Sequence, residues 1–409
     1  MKYMILLGDG MADYPIEELG GETPLAVART PNMDRIAGTG TLGLVDTIPA
    51  GFKPGSDVAN LSVLGYDPGV CYSGRGPLEA ANMGVHLGPD DVAFRCNLVT
   101  LGPEADPLMV DYTADHITSG EAARIITDLD KAIGTSEFQF YPGISYRHLL
   151  VWRNGKDALE MTPPHDITGR PTAVYQARGE GADVLARLMQ QSQVFLKDHP
   201  VNRARQAEGK KQATSIWLWG QGRAPRMVRL TDQYQLRGGM ISAVDLLNGI
   251  GVYAGLEVIR VPGATGYTDT NYAGKAQAAL AALKDMDFMF VHVEAPDEMG
   301  HEGNLQGKIK AIEDFDEKVV GPVLTGLQVH DEYRILVLSD HPTPLAIKTH
   351  ASDPSAFAVL SSRKEENMGR RTAFSEAAAR TGGILVSPGH GLMNLFIRDW
   401  RRVIEEKHQ

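Results

Sequence analysis

Short apolar runs closed by Gly, Asp or Ser recur along the chain, and their spacing predicts the fold. Residues 3–7, 257–261, 288–293 and 334–338 read as buried strands, each bounded by turn-forming residues. Between them the period changes. Residues 271–284 are Ala-rich and carry good helix formers throughout. Over 306–327, Ile309, Ile312, Phe315, Val319, Val323 and Leu327 recur at steps of three and four, the apolar stripe of a helix facing a core. Strand–helix alternation of this kind predicts an α/β fold with a mainly parallel sheet, right-handed crossovers and helices on both faces. Ligands of such sheets gather beyond the carboxyl ends of the strands.

Residues able to do chemistry stand just past those ends. Asp9 follows 3–7 in Gly8-Asp9-Gly10, and Asp297 and His301 follow 288–293. Asp340-His341 closes 335–338, His390 sits between glycines after 384–386, and Ser56 lies upstream on Pro54-Gly55-Ser56-Asp57. Carboxylate oxygen and imidazole nitrogen suit Mn, Zn or Mg, and two such ions can clamp the attacking and leaving oxygens of a phosphoryl transfer. Asp9, Asp297, Asp340 and a Ser56 alkoxide would balance the charge of two divalent cations.

Each residue also has a plainer reading. Ser56 precedes the helical pattern 58–64 and serves equally as an N-cap or as a nucleophile. Asp297 and His301 are one helical turn apart, as an exposed ion pair would be. His390 suits a surface loop, although its flanking glycines let backbone approach a crowded site. The shared placement at strand ends favours one site over seven coincidences.

At 409 residues, about two domains are expected. Residues 73–237 differ in texture, with Pro163-Pro164 and a polar stretch over 190–212. They read as an α/β domain inserted into a metal-binding domain made of 1–72 and 238–409. Arg147-His148, His165-Asp166, Arg170 and Arg223 fall inside the insert. Singly each is an ordinary surface charge; together they suit a small acidic substrate. A net charge of −11 argues against a nucleic-acid or membrane-surface partner. No apolar run reaches membrane-spanning length, and a strand pattern begins too early for a cleavable leader. Cys71 and Cys96 are too few for a disulfide framework, so a reduced, cytoplasmic setting is expected, with a homo-oligomer left open.

Several longer segments resemble the archaeal-type cofactor-independent phosphoglycerate mutases of the alkaline phosphatase superfamily. They are Gly8-Asp9-Gly10-Met11, Thr30-Pro31-Asn32-Met33-Asp34, Pro54-Gly55-Ser56-Asp57 and Gly65-Tyr66-Asp67-Pro68. Others are Gly74-Arg75-Gly76-Pro77-Leu78-Glu79-Ala80, Pro164-His165-Asp166-Ile167-Thr168-Gly169, Gly263-Ala264-Thr265-Gly266 and Ser339-Asp340-His341-Pro342-Thr343-Pro344. The resemblance runs nearly end to end and implies an alkaline-phosphatase-like fold. It implies one divalent ion on Asp297, His301 and His390, and another on Asp9, Ser56, Asp340 and His341. Ser56 would accept the phosphoryl group and Lys348 would lie near it. Mn2+ is the metal expected, with Mg2+, Co2+ or Zn2+ as substitutes, and no 2,3-bisphosphoglycerate is required.

The implied reaction interconverts 3-phosphoglycerate and 2-phosphoglycerate. Two segments depart from the archaeal pattern. Asp353-Pro354-Ser355-Ala356 stands where Asp-Pro-Val-Pro is usual, and Val58-Ala59-Asn60 stands where Thr-Ala-His is favoured. These variants resemble a bacterial branch proposed to act as homoserine kinase. That leaves a homoserine kinase-like phosphotransferase, or a metal-dependent phosphatase, as the alternatives on the same site. The chain has no P-loop ending for ATP. A silent metal-binding scaffold would have no use for a nucleophile at Ser56.

Overall fold

The computed structural model describes residues 1–406. The chain forms two compact units: Met1–Tyr72 joined by the chain from Arg226 onward, and Ser73–Pro225.

The first unit is built on an eight-stranded sheet. Lys2–Gly8 lies between Phe288–Val293 and Tyr333–Leu338 and is parallel to both. Gly238–Ile241 and then Glu257–Val258 continue one side in parallel. On the other side Ser355–Ser361 runs antiparallel between Tyr333–Leu338 and Thr41–Val45, and Leu385–Val386 pairs with Thr41–Val45 in parallel. One reversed strand in an otherwise parallel sheet keeps it mainly parallel. Met4, Ile5, Leu6 and Leu7 are all fully buried, which is why the strand reads as an unbroken apolar run. Each such side chain contributes roughly 1.5–3 kcal/mol on burial.

The stripe over 306–327 is one helical path with a widened turn. Leu305–Phe315 passes through a π-type turn, Asp316–Val320, into Gly321–Gly326. The turn places the buried Asp316 carboxylate against the backbone N–H groups of Asn32 (3.2 Å) and Met33 (2.7 Å). It thereby satisfies the open amides at the start of the helix Pro31–Thr39. The expected strand 257–261 is shorter. Only Glu257 and Val258 pair, and Pro262 and Gly263 then turn the chain away.

Residues 226–237, expected in the insert, belong to the first unit. Tyr66 donates its hydroxyl to the Val228 carbonyl (2.9 Å), the Leu230 amide bonds Ala254 O (2.9 Å), and Leu230 is buried.

The second unit holds an antiparallel sheet around Val92–Leu101. That strand pairs with Arg147–Trp152 and Ser215–Gly222, and at its end with Met109–Asp111. Phe138–Tyr141 adds to the outside of Arg147–Trp152. Ser119–Ile133 and Ala182–Lys197 bury Ile125, Ile126, Leu129, Leu185 and Leu188 in its core. Ser119–Ile133 opens with a reciprocal capping box between Thr118 and Glu121. Among the described residues, no helix is long and apolar enough to cross a membrane.

Candidate active site

Four neighbouring parallel strands end at one place in the first unit. Ser242 follows Ile241, Asp9 follows Gly8, Glu294 follows Val293, and Ser339-Asp340-His341 follows Leu338. Gly10, at φ +60°, lets the chain turn tightly here. Its amide donates to Asp340 Oδ1 (3.2 Å).

Asp297, His301 and His350 form one set able to hold a metal ion. His301 Nε2 lies 3.1 Å from Asp297 Oδ2 and 2.9 Å from His350 Nε2. His301 Nδ1 faces the Lys348 carbonyl (3.0 Å) and His350 Nδ1 faces the Pro54 carbonyl (3.4 Å). A carbonyl only accepts, so each Nδ1 carries a proton, and Nε2 offers a lone pair to a cation when the ring is neutral or donates to Asp297 when it is protonated. Two imidazole nitrogens and a carboxylate thus converge, with the outer nitrogens held in the manner of metal-bound histidines. Thr343 donates its hydroxyl to Asp297 Oδ1.

His350 occupies the place expected for His390. The latter stands at the N-terminus of the short helix Gly391–Asn394 without a side-chain capping bond, its buried Nδ1 has no hydrogen-bond partner among the described residues, and its carbonyl lies near Gly65. Gly65 follows the C-terminal end of the helix Ser56–Val63, roughly 12 Å along that helix from Ser56. The chain returning from Pro342 to Ser355 carries His350 across the strand ends instead. No apolar run precedes His350, so the strand-end rule could not find it.

The second set is Asp9, Asp340 and His341, all fully buried. His341 Nε2 lies 3.4 Å from Asp9 Oδ1 and 3.6 Å from Asp340 Oδ2. Ser56 Oγ is 3.5 Å from Asp9 Oδ1 and 3.1 Å from His341 Nε2. Ser56 is the first residue of its helix, with Gly55 at the cap and no side-chain capping bond. Its hydroxyl is directed at the second set, so the capping alternative is not the one adopted. The ring centroids of His341 and His350 are 4.3 Å apart, which joins the two sets.

Burial pushes the Asp9 carboxyl well above its ordinary range, and Asp340, Glu294 and Asp297 push it further. Glu294 rises to about 8, first from burial and then from Asp297. Burial also acts to raise Asp297, but hydrogen bonds from His301 and His350 outweigh it and hold that carboxyl well below the usual range. Asp297 in turn lifts His301 to about 9. Several carboxylates crowd a water-poor site, an arrangement that cations relieve.

His292 and Glu294, not among the residues expected from the sequence, form with Asp9 a third converging group. The only polar residue in the apolar run Phe288–Val293 is His292, the one signal the sequence offered.

Lys348 acts here through its backbone. Its carbonyl orients His301, while Nζ reaches back to the Glu302 carbonyl (3.1 Å).

The inserted unit separates the expected substrate residues. Arg147 lies over the Tyr146 ring (5.8 Å), and the His165 ring meets those of Tyr112 (5.9 Å) and Trp219 (5.3 Å). Arg95, missed in the sequence, packs over Trp219 at 4.3 Å and pairs with Glu79. Burial lowers the Arg95 pKa, and Arg75 and Arg147 lower it again despite Glu79. This is a cationic cluster. Asp166, beside His165, is exposed (3.6 Å). Arg170 is exposed and bonds Tyr175 (3.3 Å). His148 points to the other face of its strand and is buried, with Nδ1 accepting from the Gly143 amide (3.0 Å). Arg223 is taken by Asp157 through two bonds (2.9 and 3.1 Å). His148 is thus enclosed in the unit and Arg223 is paired, although His148 Nε2 and Arg223 Nη1 have no hydrogen-bond partner among the described residues.

Comparison with known proteins agrees over the whole chain. Residues 37–202 match the family described as 2,3-bisphosphoglycerate-independent phosphoglycerate mutase. The PH0037 protein of Pyrococcus horikoshii shares the fold, with a TM-score of 0.83 and 30% identity over 98% of this chain and 97% of that one. The cofactor-independent phosphoglycerate mutase of Thermoplasma acidophilum gives a TM-score of 0.67 at 25% identity over 97% and 99% of the two chains. These neighbours define the class, a mixed α/β fold with a large central sheet flanked by helices. The 2,3-bisphosphoglycerate-independent phosphoglycerate mutase of Methanosarcina barkeri is 54% identical over 97% of this chain and all of its own length. The chain belongs to the 2,3-bisphosphoglycerate-independent phosphoglycerate mutase family.

Proposed function

We propose that the chain interconverts 3-phosphoglycerate and 2-phosphoglycerate through a phosphoserine at Ser56, with two divalent cations and no 2,3-bisphosphoglycerate. Asp297, His301 and His350 hold one cation; Asp9, Ser56, Asp340 and His341 hold the other. The observation that carries this reading is the Ser56 hydroxyl, 3.1 Å from His341 Nε2 at the start of a helix. When bound, the cations lower the pKa of the serine hydroxyl and neutralise charge on the phosphoryl oxygens.

Ser56 Oγ forms a bond to phosphorus as the substrate C–O–P linkage breaks, and the departing hydroxyl of glycerate takes up a proton. The helix N-terminus directs backbone amides towards the phosphoryl group on Ser56. Glycerate is retained and reoriented, its second hydroxyl attacks the phosphoserine, and Ser56 is released. The Arg75, Arg95, Arg147 and His165 cluster of the inserted unit suits a small carboxylate.

Protein loaded with Mn2+, assayed with 3-phosphoglycerate and separately with homoserine plus ATP, tests the substrate. Formation of 2-phosphoglycerate together with a phosphorylated Ser56 peptide supports the reading. Reaction of homoserine with ATP and inert 3-phosphoglycerate would replace it with the kinase. Release of inorganic phosphate alone would replace it with the phosphatase.

A further inference from the structure

We infer that His292 is a positioning residue that holds the far oxygen of Asp9 and so fixes the near oxygen for the second cation. The inference rests on the proposal that Asp9, Ser56, Asp340 and His341 take a cation. Asp9 divides its two oxygens. Oδ1 faces Ser56 (3.5 Å) and His341 Nε2 (3.4 Å), whereas Oδ2 receives His292 Nε2 at 2.8 Å.

The hydrogen-bond chain behind His292 accommodates the tautomer that Asp9 needs. Ser242 Oγ accepts from the Val244 amide (3.0 Å) and lies 3.1 Å from His292 Nδ1. An Asp9 carboxylate that holds a cation is ionised and only accepts, so in the neutral ring the proton sits on Nε2, directed at Asp9, and Nδ1 is left to accept from the Ser242 hydroxyl, whose proton the Val244 contact does not use. The backbone of His292 is pinned too, because the buried Lys275 donates Nζ to its carbonyl (3.0 Å). Both side chains of the His292–Asp9 pair are fully buried, so water does not compete for the bond. Glu294 Oε2, at 3.3 Å, is a more distant partner of the same Nε2. At 2.8 Å the Asp9 contact has the length of a direct charge-assisted hydrogen bond. A ligand carboxylate whose second oxygen is bonded in this way has one orientation in which to meet its ion, and such outer partners govern affinity.

The test is titration of the whole protein with Mn2+, with free ion followed by electron paramagnetic resonance and bound ion counted by elemental analysis. Wild type, His292→Leu and His292→Gln are compared, and a thermal melt reports folding. His292→Leu is expected to weaken one of two Mn2+ sites by about 10–100-fold and the other hardly at all. His292→Gln, which keeps a donor, should recover most of that loss. In steady state, the kcat deficit of His292→Leu should shrink as Mn2+ is raised, with KM for the phosphorylated acid little changed. If His292→Leu does not fold, Ser242→Ala carries the test, with a smaller loss expected at the same site.

Unchanged affinity at both sites in folded His292→Leu, or in folded Ser242→Ala where that variant carries the test, overturns the inference. A wild type that binds three ions, with the third lost in His292→Leu, also overturns it, since His292 would then be a ligand. Fewer than two ions in the wild type defeats the two-cation reading itself and takes this inference with it.

Discussion

Asn60 Nδ2 donates both to Asp340 Oδ2 and to the Ser56 carbonyl, each at 2.9 Å, so one side chain joins the helix that begins at Ser56 to a carboxylate of the second set. Asn60 is fully buried, so removing its amide leaves an enclosed carboxylate oxygen short of a donor. Asn60→Ala should therefore cost about 1–3 kcal/mol of stability. Turnover should fall more steeply than the affinity for substrate, because the loss displaces Ser56 and Asp340 relative to each other. Melting curves and a separate determination of kcat and KM check both parts.

Ser56→Ala should fold with almost unchanged stability and lose turnover by several orders of magnitude. Gly55 occupies the cap and the Ser56 hydroxyl makes no capping bond, so the loss of about 1 kcal/mol expected for a removed cap should not appear. A nucleophile has no substitute in a covalent route. A melt and an assay on one sample separate the two outcomes, and an active Ser56→Ala enzyme would end the phosphoserine proposal.

The sequence made the strand ends legible because each central strand of the first unit is buried on both faces and reads as an unbroken apolar run. Asp9, Asp297, Asp340 and His341 followed directly from that pattern. His350 did not, because it sits on a chain segment that returns over the sheet between Tyr333–Leu338 and the reversed strand Ser355–Ser361. Nothing local distinguishes it from His390, which does follow an apolar run but lies at the start of the helix Gly391–Asn394. The antiparallel sheet of the insert was hidden differently. Arg95 and Asn97 interrupt Val92–Leu101 with polar side chains whose partners, Glu79 and Trp219, come from distant parts of the unit.

Gly10→Ala should damage the site although it adds only a methyl group. A Cβ there would lie 2.5 Å from Asp297 Oδ1, 2.6 Å from Thr343 Oγ1 and 2.8 Å from the Asp297 Cα. The backbone is also in the left-handed region, where a side chain costs about 1 kcal/mol or more. Because Asp297 must shift, Mn2+ affinity should fall along with the melting temperature. Full affinity in Gly10→Ala would show that Asp297 is not held where cation binding needs it.

The inserted unit should lose stability as the medium is acidified, through His148. Burial lowers its pKa to about 3 in the folded chain, against about 6.5 when unfolded. Between those values the unfolded state binds one more proton. Stability is then undiminished above pH ~6.5 and declines as pH falls towards 3, by up to about 1.4 kcal/mol per pH unit. His148→Asn keeps an acceptor for the Gly143 amide and removes the titration. Denaturant melts from pH 7 to 4 should show a shallower decline for His148→Asn than for wild type, and parallel curves would refute the assignment.

The arginines of the insert should divide by their surroundings. Arg147 stands in a cluster with Arg75, Arg95 and His165, whereas Arg223 is paired to Asp157 and Arg170 is exposed beside Tyr175. A charged hydrogen bond to substrate lost by truncation contributes a few kcal/mol, so Arg147→Ala should reduce kcat/KM for 3-phosphoglycerate by about a hundredfold. Arg170→Ala should have a smaller effect, and Arg223→Ala should act mainly on the stability of the unit. On the proposed phosphoserine route, loosely held glycerate would escape once its phosphoryl group had moved to Ser56, and water would complete the turnover. In Arg147→Ala, phosphate release should therefore rise relative to mutase flux, and 18O-labelled water should mark the phosphate set free. If Arg147→Ala retains full flux and Arg170→Ala abolishes it, the carboxylate is held by Arg170 and the cationic cluster has another role.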